Sequence, residues 1–414
     1  MISENCRLAE ARNQAEGNLV ILLISGAFFS TVSVNYVISP VLPNIAQAFQ
    51  VSISTAALLV SIYGLFYGCF ALVVGPVGDY WGRKLMMCSA LVVFSVMTVL
   101  CGLAPSFNWL LIFRAAAAMA AAALQPATWA YVADYFPFEK RGTAAAWVMQ
   151  AGSLALIMGV PLGGLIARFL DWRWVFFVAA MAAAAIMLAI IIWLPSFDKT
   201  VREKSRQRGR ISSIFSITSR AYGALLANTA ARSALVVSFL IWFAFFGLYT
   251  YVGAFLKHQF GLDSADIGFV TLALGIGYIL GGQLGGRLSD LIGRRKVILA
   301  GLGVLTFVVA VLLSVNSLPL IVIGIFAMGF AYFFTYSAQV TLITELVPQA
   351  RSTAMSINYF STYIGMTAGS AIAGAILARS DFPYLGLMSA ASCVVAAIVA
   401  QRFVFVGRSE VVTS

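Results

Sequence analysis

Two clusters of charge interrupt a chain that otherwise avoids it. In "GPVGDYWGRK", residues 75–84, Asp79, Arg83 and Lys84 follow a run from Gly17 to Gly78 without Asp, Glu, Lys, Arg or His. The pattern returns in "GGRLSDLIGRRK", residues 285–296. Gly64, Gly75, Asp79, Gly82, Arg83, Asp134 and Pro137 each have a counterpart 211 positions later, at Gly275, Gly286, Asp290, Gly293, Arg294, Glu345 and Pro348. An acid and an arginine so spaced make an ion pair, worth ~0–1 kcal/mol when exposed. A carboxylate facing a partly buried helix N-terminus gains up to ~2 kcal/mol. This is the chemistry of a contact that can open and close, not of bond-making. The plainer reading is that Asp79 caps a helix, Gly82 permits a turn, and Arg83 and Lys84 only fix membrane orientation. That suffices for Lys84. The recurrence of Asp79 and Arg83 with a third acid argues for pairing.

Arg114, in "LLIFRAAAAMAAAALQPA", is the one charge well inside an apolar run. Its burial costs at least ~2.5 kcal/mol, unless it snorkels to the helix end. "MGVPLGG" carries Gly159, Pro161, Gly163 and Gly164 at mid-helix, where proline kinks the backbone and glycine admits a close neighbour. Simple packing accounts for this stretch as well as function does. Asn35, Gln125, Trp242, Phe246, Tyr249, Tyr332, Tyr336, Gln339, Asn358 and Tyr359 are polar or aromatic within apolar segments. They are candidates to line a cavity for amphipathic organic molecules, although any single aromatic also serves packing. His258, the only histidine, reads as a hydrated loop residue beside Lys257.

The elements that must position these residues are membrane helices. The chain has 414 residues, 61% hydrophobic and 10% charged, against ~25% charged in soluble domains. Stretches of the ~20 apolar residues that span a bilayer recur, and their unbroken apolarity excludes a β-barrel. Twelve helices are expected near 19–41, 54–75, 85–104, 109–133, 143–168, 174–194, 232–256, 266–286, 297–315, 320–345, 352–378 and 384–404. The fold class is all-α, two six-helix bundles at 19–194 and 232–404. A tail (1–18), a central loop (195–231) and a C-terminal tail (405–414) complete the chain, and the "SPVLPNIAQAFQVSIS" stretch divides the first two helices. Lysine and arginine crowd one side, leaving only Arg168, Arg173, Lys257 and Arg379 opposite and Arg114 in a span. By the positive-inside rule both termini are cytoplasmic. The net charge of +11 is therefore a topology signal and not a nucleic-acid surface. The five cysteines show no paired spacing and read as small hydrophobes.

Two parallel six-helix repeats joined by a basic loop are the architecture of the major facilitator superfamily. "GPVGDYWGRK" resembles that family's loop between helices two and three. "DYFPFEKRG", residues 134–142, resembles its end of helix four, and "LDWRWVFFV", residues 170–178, its start of helix six. The resemblance covers essentially the whole chain and leans to the drug/proton antiporters. It implies that Asp79, Arg83 and Asp134 form a cytoplasmic latch, with Asp290, Arg294 and Glu345 as its twin. It also implies that Arg114, with Asp134, serves proton coupling or substrate. The family usually places Gln and Gly after the helix-four arginine, where Ala117 and Ala118 stand here, and Val160 separates Gly159 from Pro161. No acid lies near the middle of helix one, where many proton-driven relatives carry one.

The expectation is a proton-coupled exporter of small amphipathic compounds or drugs, an inner-membrane multi-pass protein acting by alternating access. Its partners are a small-molecule substrate, protons and the lipid bilayer; it needs no cofactor or metal, and a monomer suffices. The alternative is a transporter, in either direction, of one metabolite such as a siderophore, sugar or amino-acid derivative. No G-x-x-x-x-G-K-[ST] loop occurs and one histidine offers little for a catalytic site, which argues against an ATP-driven pump or membrane enzyme.

Overall fold

The computed structural model describes residues 2–195, 223, 225, 227–347 and 351–404, with side chains outside 2–15, 75–81, 138–139 and 351–353. Twelve helices in it are long and apolar enough to cross a membrane. In the first half these are α1 Glu16–Tyr36, α2 Ile53–Val74, α3 Arg83–Gly102, α4 Phe107–Tyr135, α5 Lys140–Phe169 and α6 Trp172–Trp193. In the second they are α7 Thr229–Phe260, α8 Ser264–Ile292, α9 Arg294–Leu312, α10 Leu318–Leu346, α11 Ala354–Leu377 and α12 Pro383–Val404. Most of the central loop and the C-terminal tail lie outside the described residues.

Helices outrun the apolar stretches that announced them. The helix containing α1 begins at Ile2, so the expected N-terminal tail is helical. The one containing α2 runs to Trp81, and α8 reaches Ile292. Asp79 and Asp290 are therefore in final helical turns, not in loops. Each helix stops at a glycine, Gly82 with φ 93° and Gly293 with φ 91°, and both have ψ near 145°. Residues with a Cβ scarcely populate that region, so the repeated glycine of the motif is a backbone requirement. His258 also lies in the last turn of a helix, exposed beside the Phe382 ring.

The largest departure is at the end of α1. The stretch expected to separate the first two spans is itself a helix, Ile38–Ala48, running on after a break at Val37. Val37 keeps right-handed helical dihedrals, so the chain turns without unwinding. Pro40 and Pro43 lack the N–H groups that would bond Tyr36 O and Ser39 O four residues back. Both freed carbonyls face α7: Tyr249 Oη donates to Tyr36 O at 2.8 Å, and Ser39 O lies against the Cα of Gly253. Prolines thus convert intrahelical acceptors into contacts between halves.

A second irregularity is the single π-turn Ala155–Gly159 in α5, just before Pro161. Such bulges absorb a residue the α-helical ladder cannot place. Beyond it, Gly163 packs on Val37 and Gly164 on the Ser264 backbone. Elsewhere α2 crosses α11, where Gly64 meets Thr367 Oγ1 and Tyr363 O.

Candidate functional site

Between the halves lies a small, partly open cavity. Among its walls are Asn35 and Tyr36 of α1, Tyr67 of α2, Gln125 of α4, Trp242 of α7 and Tyr363 of α11. Tyr67 Oη donates to Gln125 Oε1. The Tyr67 ring stacks on Tyr363 across the two halves, centroids 3.7 Å apart and 17° from parallel. Trp242 stacks with Phe246 at 5.4 Å and meets Tyr336 edge-on at 5.7 Å. Asn35 Nδ2 makes a weak contact to the Met366 sulfur at 3.9 Å, and its Oδ1 has no hydrogen-bond partner among the described residues.

Of the residues singled out from sequence, Asn35, Gln125 and Trp242 line this space, and Phe246, Tyr332 and Tyr336 form a second layer behind Trp242. Tyr249 instead ties the halves together through Tyr36 O. Gln339 holds α10 to α7 by donating to Ala234 O at 2.7 Å. Asn358 reaches Tyr336 Oη at 3.5 Å and has an unbonded Oδ1, while Tyr359 is half-buried. Sequence reasoning missed Tyr63, Tyr67 and Tyr363. A usable signal was present: Tyr63 and Tyr67, like Tyr359 and Tyr363, are four apart and share a helix face.

Arg114 is 0% exposed, so it does not snorkel. Its guanidinium carbon sits 4.5 Å from the centroid of the Tyr63 ring, and Tyr63 also lines the cavity. None of its three side-chain nitrogens has a hydrogen-bond partner among the described residues. Cys101 of α3 is a buried neutral neighbour.

The two ends of the bundle are built differently. At the end richer in basic residues, Arg83 Nε pairs with Asp134 Oδ2 at 3.2 Å. Arg294 pairs with Asp290 at 2.6 Å and Glu345 at 3.0 Å, and its Nη1 also bonds Ser289 Oγ. Each of these pairs joins residues of one half. The side chain of Asp79, the first acid of the expected latch, lies outside the described residues. Lys84, expected only to mark topology, donates to Ile191 O and Leu194 O and so closes the last turn of α6.

At the opposite end the contacts cross. Arg168 of α5 pairs with Asp263 at 3.1 Å and Asp266 at 3.9 Å. Ser264 Oγ donates to Asn44 Oδ1 at 2.7 Å, and Ser39 Oγ to Tyr249 O at 2.7 Å. Glycines along α8 mark where it meets the first half. Gly268 abuts Pro161 and Gly275 abuts Ile157, both of α5, but a Cβ on Gly286 would meet nothing within 4 Å. The halves are therefore in close contact at this end.

A family model described as Major Facilitator Superfamily matches residues 23–263 and 234–414. The chain belongs to the Major Facilitator Superfamily. Among its similar superfamily members, the "Uncharacterized MFS-type transporter YceJ" of Bacillus subtilis (strain 168) is 30% identical, the match covering 84% of this chain and 87% of that one. The "Uncharacterized MFS-type transporter YwfA" of the same strain is 27% identical, covering 90% and 89%. Its "Multidrug resistance protein 3" is 25% identical, covering 73% and 69%. Two solved structures share the fold. A D-xylose–proton symporter has a TM-score of 0.76 at 16% identity, covering 93% of this chain and 97% of that one. A bacterial homologue of the human lysosomal transporter Spinster, inward-facing and unoccupied, has 0.69 at 19%, covering 93% and 94%. The protein is thus a multi-pass membrane transporter of a small molecule, and not an enzyme.

Proposed function

We propose that this superfamily member exports small amphipathic organic compounds by alternating access, in exchange for protons. It works as a monomer in the cell membrane with both termini cytoplasmic. The observation that carries this is the cavity between the halves, walled by stacked rings with a few amide and phenol groups. Aromatic walls bind flat apolar bodies of many shapes, and sparse polar groups orient them. With the basic end cytoplasmic, the chain is in an inward-facing state, ready to take cargo from the cytoplasm. Similarity to the multidrug resistance protein supports the outward direction. Protons exchange at Asp134, whose side chain is 40% exposed beside Arg83, with Asp79 as the second acid of that end. The latch of Asp79, Arg83 and Asp134, and its twin of Asp290, Arg294 and Glu345, closes this end when the cavity opens outward.

The fixed polar pair Tyr67–Gln125 and the underused amide of Asn35 favour a second reading, recognition of one metabolite by a set hydrogen-bond pattern. Transport into oriented proteoliposomes under an imposed pH gradient separates the two. Multidrug export predicts gradient-dependent movement of several unrelated amphipathic compounds, weakened by Trp242→Ala and uncoupled from the gradient by Asp134→Asn. Movement of a single compound regardless of the gradient would overturn the exporter reading in favour of a specific facilitator.

A further inference from the structure

We infer that Arg114 is the counter-charge for an anionic group on the transported molecule, so that the preferred cargo is an aromatic organic anion such as a carboxylate. This rests on the transporter reading of the cavity and adds the charge of what enters it. Three observations converge. The guanidinium is wholly buried, and its three nitrogens have no hydrogen-bond partner among the described residues. An arginine cannot shed its proton to escape that position. Its immediate surroundings supply no negative charge: the groups that bear on it are the Tyr63 ring and the Cys101 thiol, both neutral. One turn from Cys101, Thr98 Oγ1 is likewise buried, with no hydrogen-bond partner among the described residues.

The geometry connects this charge to the cavity. Arg114, Ala121 and Gln125 lie seven and eleven positions apart on one stripe of α4, and the last two line the cavity. Tyr63 touches both: its ring centroid is 4.5 Å from the guanidinium carbon, and it lines that space. A rotation of this one ring lets a carboxylate reach the arginine while the cargo's own ring stacks with Tyr67 and Tyr363. A guanidinium holds a carboxylate through two parallel hydrogen bonds, strongest where water is excluded. A cationic cargo would meet a charge of its own sign, with no carboxylate lining the cavity. An anion is also driven outward by an inside-negative potential, so its export does not depend on an acid in α1.

The test is calorimetric titration of the purified full-length protein with three probes sharing one ring system, 1-naphthoate, 1-naphthamide and 1-naphthylmethylammonium. It is run on wild type, Arg114→Lys and Arg114→Gln, in chloride and in gluconate buffers. The expected result is naphthoate binding about tenfold or more tighter than naphthamide. The preference should shrink in Arg114→Lys and vanish in Arg114→Gln, with naphthamide affinity falling far less than that of naphthoate. Equal affinity for naphthoate and naphthamide, a preference for the ammonium, or a preference surviving in Arg114→Gln overturns the inference and leaves the aromatic cavity standing. Chloride that stabilises the protein through Arg114 and abolishes naphthoate preference assigns the site to an inorganic anion and also overturns it. Failure of all three probes to bind wild type removes the aromatic-cavity reading as well. If Arg114→Gln does not fold, wild type against Arg114→Lys still decides the preference.

Discussion

The closed end and the basic end of this transporter are held by different physics. At the closed end the halves touch through backbone: Gly253 against the Ser39 carbonyl, Gly164 against that of Ser264, and Gly268 against Pro161. Such contacts are short-ranged and fade within an ångström of separation. At the basic end charge dominates, but Arg83–Asp134 binds α3 to α4 and Arg294–Glu345 binds α9 to α10, each inside one half. Within-half ion pairs keep a bundle rigid while it moves. Between-half contacts decide where it stops. The difference predicts that added bulk, not removed charge, will most strongly shift the balance of states.

Gly253→Val should have the largest effect. A Cβ there would collide with the Ser39 carbonyl, which is backbone and cannot rotate away. Overpacking of this kind costs ~1–3 kcal/mol, enough to change the ratio of closed to open forms by roughly fivefold to a hundredfold. Spin labels on the exposed residues Leu170 and Gln259, one in each half, should report a longer distance in the variant, with transport falling in step. An unchanged distance and normal transport would remove the backbone-contact account of the closed end.

Tyr249→Phe should have an intermediate effect. It deletes the hydrogen bond to Tyr36 O, an acceptor that exists because Pro40 cannot donate to it. A buried neutral hydrogen bond contributes ~1 kcal/mol net, and the abandoned carbonyl adds to the loss. The same label pair should show a partial shift toward the longer distance. Tyr251→Phe is the control: Tyr251 Oη donates to Ser370 O within the second half, so its removal should leave the distance unchanged.

How much of this was readable from the chain depends on what makes a residue conspicuous. Asp290, Arg294 and Glu345 stood out because charge is rare here and recurred at one offset, and the structure joins those three. Arg114 stood out for the same reason. The twelve spans follow from apolar run length, with some ends short, as at α7 and α8, because polar helical turns carry no hydropathy signal. The contacts between halves were unreadable. Gly253, Gly164 and Ser39 are of types found throughout the sequence, and their partners lie far along the chain. Proline opposes helix interiors, so Pro40 and Pro43 read as breaks; here they sit in a short helix whose freed carbonyls are used elsewhere. Tyr63, Tyr67 and Tyr363 stand among many other aromatics: their four-residue spacing marks a shared helix face, but only the crossing of α2 and α11 turns that face to the cavity.

Arg294→Gln tests the basic end. Arg294 is 16% exposed and pairs with two carboxylates that are 36% and 70% exposed. Screening by water limits the combined loss to about 1 kcal/mol. It should appear as a small drop in thermal stability, with little change in the Leu170–Gln259 distance, because no contact between halves is cut in this state. A distance shift as large as that of Gly253→Val would mean that the charges at this end hold the halves directly, against the division drawn above.

The smallest effect is expected from Arg168→Gln, although Arg168 makes the most conspicuous crossing at the closed end. Its side chain is 47% exposed and those of Asp263 and Asp266 are 41% and 51%. Exposed pairs contribute ~0–1 kcal/mol and are screened by salt. The closed population should therefore fall less than about fivefold. Raising the salt concentration should reproduce in wild type whatever the variant shows in low salt, and should do nothing further to the variant. A salt-independent opening larger than that of Tyr249→Phe would show that Arg168 is a principal clasp, and that the ion pair, not the glycine contacts, holds this end shut. The expected ordering, glycine above tyrosine above arginine, follows from burial alone: the contacts least exposed to water have the most to lose.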